Sequence, residues 1–312
     1  MKYYHIPVLL NEVLGYLLCG PKKIFIDCTM GEGGHAFEIL KKSGQTGVLI
    51  GIDRDKDSIE IARKRLKDCK GKAIFVHDSF QHIKKIISTF NIKKVDGILF
   101  DLGISSRQID VPERGFSFRY DGPLDMRMNR EQELTASTLI HTLPLKELAG
   151  ILKKYGEERW SLRIAKKIVQ TREKKRIETT KELAEIVRSA VPRSFKPQSI
   201  HPATRTFQAL RIMVNEELDV LEVALRDAVE LLKIKGRICV ISFHSLEDRI
   251  AKQIFNSYKK GCICPPKIPQ CICGKKQIVE VLTRRPVVPG REEVENNPRA
   301  RSAKLRVAER IA

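Results

Sequence analysis

The chain predicts an α/β fold: a parallel sheet with helices on both faces, interrupted by an all-helical insertion. Three observations predict it. Apolar, strand-length runs alternate with helical stretches through the first hundred residues. Strand signals then stop between about Asp110 and Pro202. A buried strand returns at Gly236–Phe243. Strands that alternate with helices and read as continuous apolar runs form βαβ units with both sheet faces covered. A length of 312 residues suits one large domain or two moderate ones.

The elements follow in order. Lys23–Cys28 reads as a first buried strand, followed by a glycine cluster and a helix near His35–Lys42. Gly47–Asp53 is a second strand, followed by a helix over Ser58–Lys67, and Ala73–Val76 and Asp96–Asp101 are the third and fourth strands. Val111–Arg130, rich in Gly, Pro, Arg and aromatics, reads as an ordered loop. Helices are expected at Ala136–His141, Leu145–Lys154, Ser161–Lys174 and Thr180–Ser189, the last opened by Thr179, Thr180 and Glu182. A long, broken helix spans Ala203–Leu232. After the fifth strand, Ser245 and Asp248 predict a cap leading into a helix over Leu246–Tyr258, and β-like segments follow at Ile278–Thr283 and Ala303–Val307. The expected division is 1–109 for the first part of the sheet domain, 110–216 for a helical insertion that recognises substrate, and 217–312 for the second part.

Composition narrows the function classes. There are 58 basic and 38 acidic residues, giving a net charge of +20. Such a surplus points to a polyanionic partner, with a solvated basic surface as the plain alternative. No apolar run approaches the roughly 18 residues of a membrane span. The N-terminal segment, with a single Lys2 and with Asn11 and Glu12 breaking its apolar run, does not read as a signal peptide. Eight cysteines, unevenly placed, do not make an extracellular disulfide scaffold. The cytoplasm is the expected location.

The strongest local signal is Asp27-Cys-Thr-Met-Gly31-Glu-Gly33-Gly34-His35, at the end of the first strand and the start of a helix. Glycines there let the backbone approach a ligand, and the helix N-terminus presents N–H groups. Asp53, twenty residues past Gly33, ends the second strand, where a carboxylate bonds a ribose diol. The spacing is not Gly-x-Gly-x-x-Gly, so an adenosine-type cofactor without a pyrophosphate fits better than a dinucleotide. Phe80, just past the third strand, either stacks on an adenine or packs in the core behind a cap at Asp78 or Ser79. Asp101 ends the fourth strand, where ligands bind in such sheets. An acceptor there can hold the N–H groups of an exocyclic amine, favour its pyramidal form and take its proton. Thr204, Gln208, Arg211 and Asn215 share one helix face, which either meets a specific partner or packs within the insertion. His244 either faces the site or caps the following helix.

Six motifs together resemble one family: the glycine segment above, Asp101-Leu-Gly-Ile-Ser-Ser106 with Gln108, Arg114-Gly-Phe-Ser-Phe118, Arg205–Ile212 with Val214 and Asn215, Ser242–Arg249, and Asn297–Lys304. Across essentially its whole length the chain resembles the bacterial small-subunit ribosomal RNA (cytosine-N4) methyltransferases, the MraW/RsmH family. The resemblance implies a class I S-adenosylmethionine-dependent methyltransferase (Rossmann-like) sheet with an inserted helical domain. It implies methylation of N4 of a decoding-region cytidine in 16S ribosomal RNA, with S-adenosyl-L-methionine as methyl donor. It places cofactor contacts on Gly33, Gly34, His35, Asp53, Phe80, Asp101 and Gln108; the position of Asp101 after the fourth strand makes it also the expected catalytic residue. The substrate is 16S ribosomal RNA, expected within the small ribosomal subunit, and the oligomeric state is left open, a homodimer included. Two rival readings remain: a non-enzymatic RNA-binding ribosome assembly factor on the same fold, and a small-molecule methyltransferase.

Two features depart from related patterns. Many amino-methyltransferases carry two prolines and an aromatic after the fourth-strand acid, whereas this chain has Leu102, Gly103 and Ile104. A ring that stacks on the target base must come from elsewhere, with Phe116, Phe118 and Tyr120 as candidates and packing as their alternative. Cys262-x-Cys264 and Cys271-x-Cys273 flank a Pro-rich loop. Four thiolates can hold zinc, but one intervening residue is not the usual Cys-x-x-Cys knuckle. An ordered or redox-sensitive loop is expected instead, and no metal is assigned to the site.

Overall fold

The computed structural model describes residues 7–192, 201–262, 264, 270 and 272–312. The chain divides into two compact units, one of residues 1–103 and 218–312, the other of residues 104–217. The first break falls before the short helix that begins at Ser106, rather than after 109.

The first unit begins with α1 (Leu10–Leu17), β1 (Ile24–Asp27), α2 (Gly34–Ser43), β2 (Val48–Asp53), α3 (Lys56–Arg65), β3 (Lys72–His77), α4 (Ile83–Thr89) and β4 (Val95–Asp101). The second unit holds α5 (Ser106–Asp110), α6 (Ala136–Thr142), α7 (Leu145–Gly156), α8 (Ser161–Arg172), α9 (Thr180–Ala190) and α10 (Ala203–Asn215). The chain continues through α11 (Glu217–Leu231), β5 (Leu232–Ser242), α12 (Ser245–Lys259), β6 (Val279–Val281), α13 (Arg291–Asn296) and β7 (Lys304–Arg310).

The seven strands form one sheet in the order β3-β2-β1-β4-β5-β7-β6. β3, β2, β1, β4 and β5 run parallel, while β7 is antiparallel to β5 and β6. Side chains of a strand alternate between faces. Ile26, Ile52, Phe100 and Val240 therefore pack on one face with Ile83 and Ile87 of α4, Leu225 of α11 and Phe255 of α12. Phe25, Leu49, Leu99 and Ile241 pack on the other with Val13 and Leu17 of α1 and Ile39 of α2. Burial on both faces explains why these strands read as unbroken apolar runs. The register sets Asp27 opposite Gly51 and Leu99, and Asp101 opposite Ile241, so the acids ending β1, β2 and β4 share the carboxyl edge.

In the second unit, Asn215 anchors the ordered loop. Its side chain accepts from Met128 N at 2.8 Å and donates to Met126 O at 2.8 Å and Arg211 O at 2.9 Å. Gly115 (φ 70°) and Gly122 are tightly enclosed, since an added Cβ would lie 2.1 Å from Pro123 O and 2.0 Å from Pro112 O respectively. The long helix breaks at Glu216, which adopts φ 52° between α10 and α11. The cap of α12 is His244 with Glu247, one residue earlier than the expected Ser245 and Asp248. The imidazole Nδ1 of His244 accepts from Glu247 N, doing at the cap what a serine hydroxyl would do.

Candidate functional site

Three carboxylates end adjacent parallel strands. Asp27 closes β1, Asp53 closes β2 and Asp101 closes β4. Each is tied to the glycine segment that follows β1. Thr29 N donates to Asp27 Oδ1 at 3.2 Å, and Asp101 N donates to Thr29 Oγ1 at 2.6 Å. Gly31 N donates to Asp53 Oδ2 at 2.7 Å, and Asp55 N donates to its other oxygen at 2.8 Å. An ionised carboxylate has about four acceptor directions, so Asp53 keeps capacity for a ligand diol.

The glycines differ in what requires them. Gly33 has φ 77°, and a Cβ there would lie 2.7 Å from Leu66 Cδ1 and 3.2 Å from Ala62 Cβ. A Cβ on Gly34 would lie 2.8 Å from Pro7 Cγ. Packing against Ala62 and Leu66 at Gly33, and against Pro7 at Gly34, thus favours glycine at both positions, whatever they bind. Gly31 has φ 51° and an open surround, its nearest neighbour being Thr29 O at 3.9 Å. It is the glycine whose missing side chain leaves room for a ligand. Gly33 opens α2 with no side-chain cap, so the first N–H groups of that helix point toward the same edge.

Burial raises the acid pKa values. Desolvation lifts Asp27 to about 7, partly countered by the Thr29 N–H and reinforced by Asp53. Desolvation also lifts Asp53 to about 6 against the N–H bonds it accepts from Asp55 and Gly31. Asp101 is raised well above the usual carboxylate range by desolvation, then by the charges of Asp27 and Glu247. Its Oδ2 lies 3.4 Å from His35 Nδ1. Its Oδ1 is buried and has no hydrogen-bond partner among the described residues. A buried carboxylate oxygen left unbonded costs free energy unless a ligand supplies a donor, which is the signature of a binding or catalytic group.

The structure gathers Gly33, Gly34, His35, Asp53 and Asp101 along the carboxyl edge. Phe80 follows β3 in a 3-10 turn over Phe80–His82, half-buried and edge-on to Phe100 at 5.5 Å between ring centres. Ser79 caps that turn by accepting from Gln81 N, so both features of the packing reading are present, and Phe80 keeps part of its ring exposed. Gln108 belongs to the other unit. There it is buried, and its side chain closes a capping box with Ser105 at the start of α5. Asp27 and Thr29, which stand in the glycine segment without an assigned role, also organise the edge; the signal for Asp27 is an acid at the end of a buried strand, as at Asp53 and Asp101.

The polar face of α10 serves its own unit. Gln208 donates to Tyr155 O, Arg211 forms a bidentate pair with Glu217 at 2.8 Å for both bonds, and Asn215 holds the loop. Phe116 is buried, and Phe118 packs on His201 and Phe207 at 4.7 and 4.9 Å. Of the three loop rings considered, only Tyr120 is exposed, at 55%. No helix among the described residues is long and apolar enough to cross a membrane.

A parallel sheet with an antiparallel β7 beside β5, a glycine turn after β1 and acids ending β1, β2 and β4 define a class I S-adenosylmethionine-dependent methyltransferase. The chain belongs to the MraW methylase family, whose model matches residues 2–311. It is similar to proteins named ribosomal RNA small subunit methyltransferase H. That of Halothermothrix orenii is 53% identical over 307 residues, 98% of each chain. That of Finegoldia magna is 48% identical over 312 residues, 100% of each chain. That of Caldicellulosiruptor saccharolyticus is 50% identical over 309 residues, 99% of this chain and 100% of its relative.

Proposed function

We propose that the protein methylates N4 of a cytidine in the decoding region of 16S ribosomal RNA, acting in the cytoplasm on RNA within the small ribosomal subunit. The observation that carries the chemistry is the buried, unpartnered Oδ1 of Asp101 at the end of β4. S-adenosylmethionine, when bound, supplies an electrophilic methyl group. Asp53 accepts from its ribose hydroxyls, and the glycine turn at Gly31 to Gly34, with His35 behind it, shapes the edge against which it lies. Phe80 offers the exposed part of its ring to the adenine, and Gln108 is retained as a contact from the family resemblance. Asp101 Oδ1 accepts an N–H of the cytosine amine, which draws the nitrogen lone pair out of conjugation. As the nitrogen becomes cationic its proton turns acidic, and the raised basicity of Asp101 suits that group to receive it. No covalent nucleophile is needed, because the amine attacks directly.

The surplus of 20 positive charges fits an RNA substrate, and the helical unit of residues 104–217 is the reading for substrate recognition. Tyr120 is the ring left available to stack on an unpaired base. Incubating the protein and S-adenosylmethionine with small ribosomal subunits, and separately with naked RNA, then analysing digested nucleosides, tests the proposal. N4-methylcytidine is the expected product. Tight RNA binding without methylation would instead support an assembly factor, and methylation of small amines alone would support the small-molecule reading.

A further inference from the structure

The 260–278 connection joins α12 to β6 with no helix or strand among its described residues. Connections of this length without secondary structure are uncommon unless they have a function or a staple. Its two ends are tied, since Ile278 N donates to Tyr258 O at 2.9 Å. Inside it, the sulfur atoms of Cys262, Cys264 and Cys273 lie within 4.8 Å of one another. Cys271 lies outside the described residues.

We propose that this connection carries a structural zinc site, with Cys262, Cys264 and Cys273 as its three cysteine ligands. The distances discriminate between uses of the thiols. A tetrahedral zinc with sulfur at about 2.3 Å sets neighbouring sulfurs about 3.8 Å apart, whereas a disulfide needs about 2.05 Å. Cys273 Sγ stands 3.8 Å from Cys262 Sγ, the separation of two ligands on one ion. Cys264 N also donates to Cys262 Sγ at 3.4 Å, so the turn between the first pair directs a backbone N–H at a sulfur. Such a bond stabilises a thiolate, the form that binds metal. Gly274, at φ 61°, follows the last cysteine and lets the chain turn back around its sulfur at little cost. Three thiolates on a divalent ion leave a net negative charge, and Lys259, Lys260, Lys275 and Lys276 lie in or beside the same segment to offset it.

The remaining cysteines behave differently. Burial pushes the thiols of Cys28 and Cys239 far up, and that of Cys19 up to about 11, so they stay protonated and inert. One intervening residue is too short for a single turn to wrap an ion, but with the ends tied at Tyr258 and Ile278 the chain brings Cys273 back to Cys262 and Cys264, so no one turn wraps the ion by itself. The ion closes a long loop and offsets its ordering entropy.

The test uses the full chain without a metal-binding tag, purified under reductant, equilibrated with zinc chloride and desalted. Elemental analysis should find about one zinc per chain. A Cys262→Ser/Cys273→Ser variant should lose it, while Cys69→Ser, outside the cluster, should retain it. Cobalt(II) in place of zinc should give thiolate charge-transfer bands and the intense d–d absorption of tetrahedral coordination. The cobalt spectrum of the unaltered chain decides the matter if the double variant does not fold. Fully reduced protein that holds neither zinc nor cobalt would overturn the proposal. So would zinc retained by a folded double variant.

Discussion

His35 Nδ1 lies 3.4 Å from Asp101 Oδ2, while the opposite ring nitrogen, Nε2, lies 3.0 Å from Val8 O. A carbonyl oxygen only accepts, so Nε2 carries a hydrogen, an assignment that follows from its partner. Nδ1 then presents either a lone pair or a second hydrogen to Asp101. Two lone pairs would repel, so one proton is shared between the imidazole and the carboxyl group. His35, which the resemblance marks as a cofactor contact, thereby also fixes how Asp101 is oriented and which of its oxygens is left to accept.

Asp27 predicts an inverted pH dependence of stability. Its folded pKa is about 7, raised chiefly by desolvation, against an ordinary aspartate value of 3.8. Between these values the folded state binds more protons than the unfolded one, so stability falls as pH rises. Full ionisation costs on the order of a few kcal/mol. Asp27→Asn should remove the Asp27 share of the slope between about pH 4 and pH 7 and leave that of Asp53 and Asp101, which burial also raises. Urea melts of the cofactor-free protein across that range measure it, and equal slopes for both proteins would refute the assignment.

Asp53→Ala should weaken S-adenosylmethionine binding by about 1.5–3 kcal/mol, the value of hydrogen bonds to a charged group. It should also loosen the glycine turn, because Gly31 N and Asp55 N both lose their acceptor. Asp53→Asn, which keeps one acceptor oxygen, should lie between. Calorimetry reads the affinity and thermal melting reads the fold. Unchanged affinity in a folded Asp53→Ala protein would remove Asp53 from the ribose contact.

Asn215→Ala tests the loop anchor of the second unit. Met126 is a buried non-glycine residue at φ 62°, a conformation that persists only when its surroundings hold it. Asn215 does so through Met126 O and Met128 N. Losing both bonds inside a buried site should cost on the order of 3 kcal/mol. Trypsin should then cut sooner at Arg127 or Arg130. An unchanged melt and cleavage pattern would show that the loop is held by other contacts.

The sheet was legible in the sequence because burial on both faces leaves strands as plain apolar runs. The positions of Asp53 and Asp101 at one sheet edge were legible because each acid closes an apolar run, where a parallel strand stops. The cap of α12 was misplaced by one residue, because His244 does with a ring nitrogen what the serine pattern does with a hydroxyl. The α10 face was ambiguous for a related reason. Gln208, Arg211 and Asn215 bond to Tyr155, Glu217 and Met128, and only Glu217 is close in sequence. Spacing shows that such residues share a face, not what the face meets. Phe116 and Phe118 were hidden likewise, since packing against residues far along the chain leaves no local periodicity.

Asp101→Asn separates catalysis from binding. The amide is nearly isosteric, and its Nδ2 can donate to His35 Nδ1 while its oxygen takes the place of Oδ1. The pair at 3.4 Å is therefore kept and the fold should stay as stable as before. What the variant loses is the charge and the ability to take a proton. If Asp101 acts on the amine in the transition state, the saturated single-turnover rate should fall roughly 10²–10⁴-fold, the range of general acid–base contributions. Cofactor affinity should change far less, because that loss is confined to the transition state. A group that only held the methionine end of the cofactor would give the reverse: a raised Kd with a near-normal rate at saturation. The raised pKa adds a further expectation. A carboxyl group that must ionise before it accepts a proton makes the wild-type rate rise with pH, above the ordinary carboxylate range where Asp101 titrates. Asp101→Asn should lose that limb, because asparagine does not titrate. An unchanged saturated rate with the limb intact would leave Asp101 as a binding residue only.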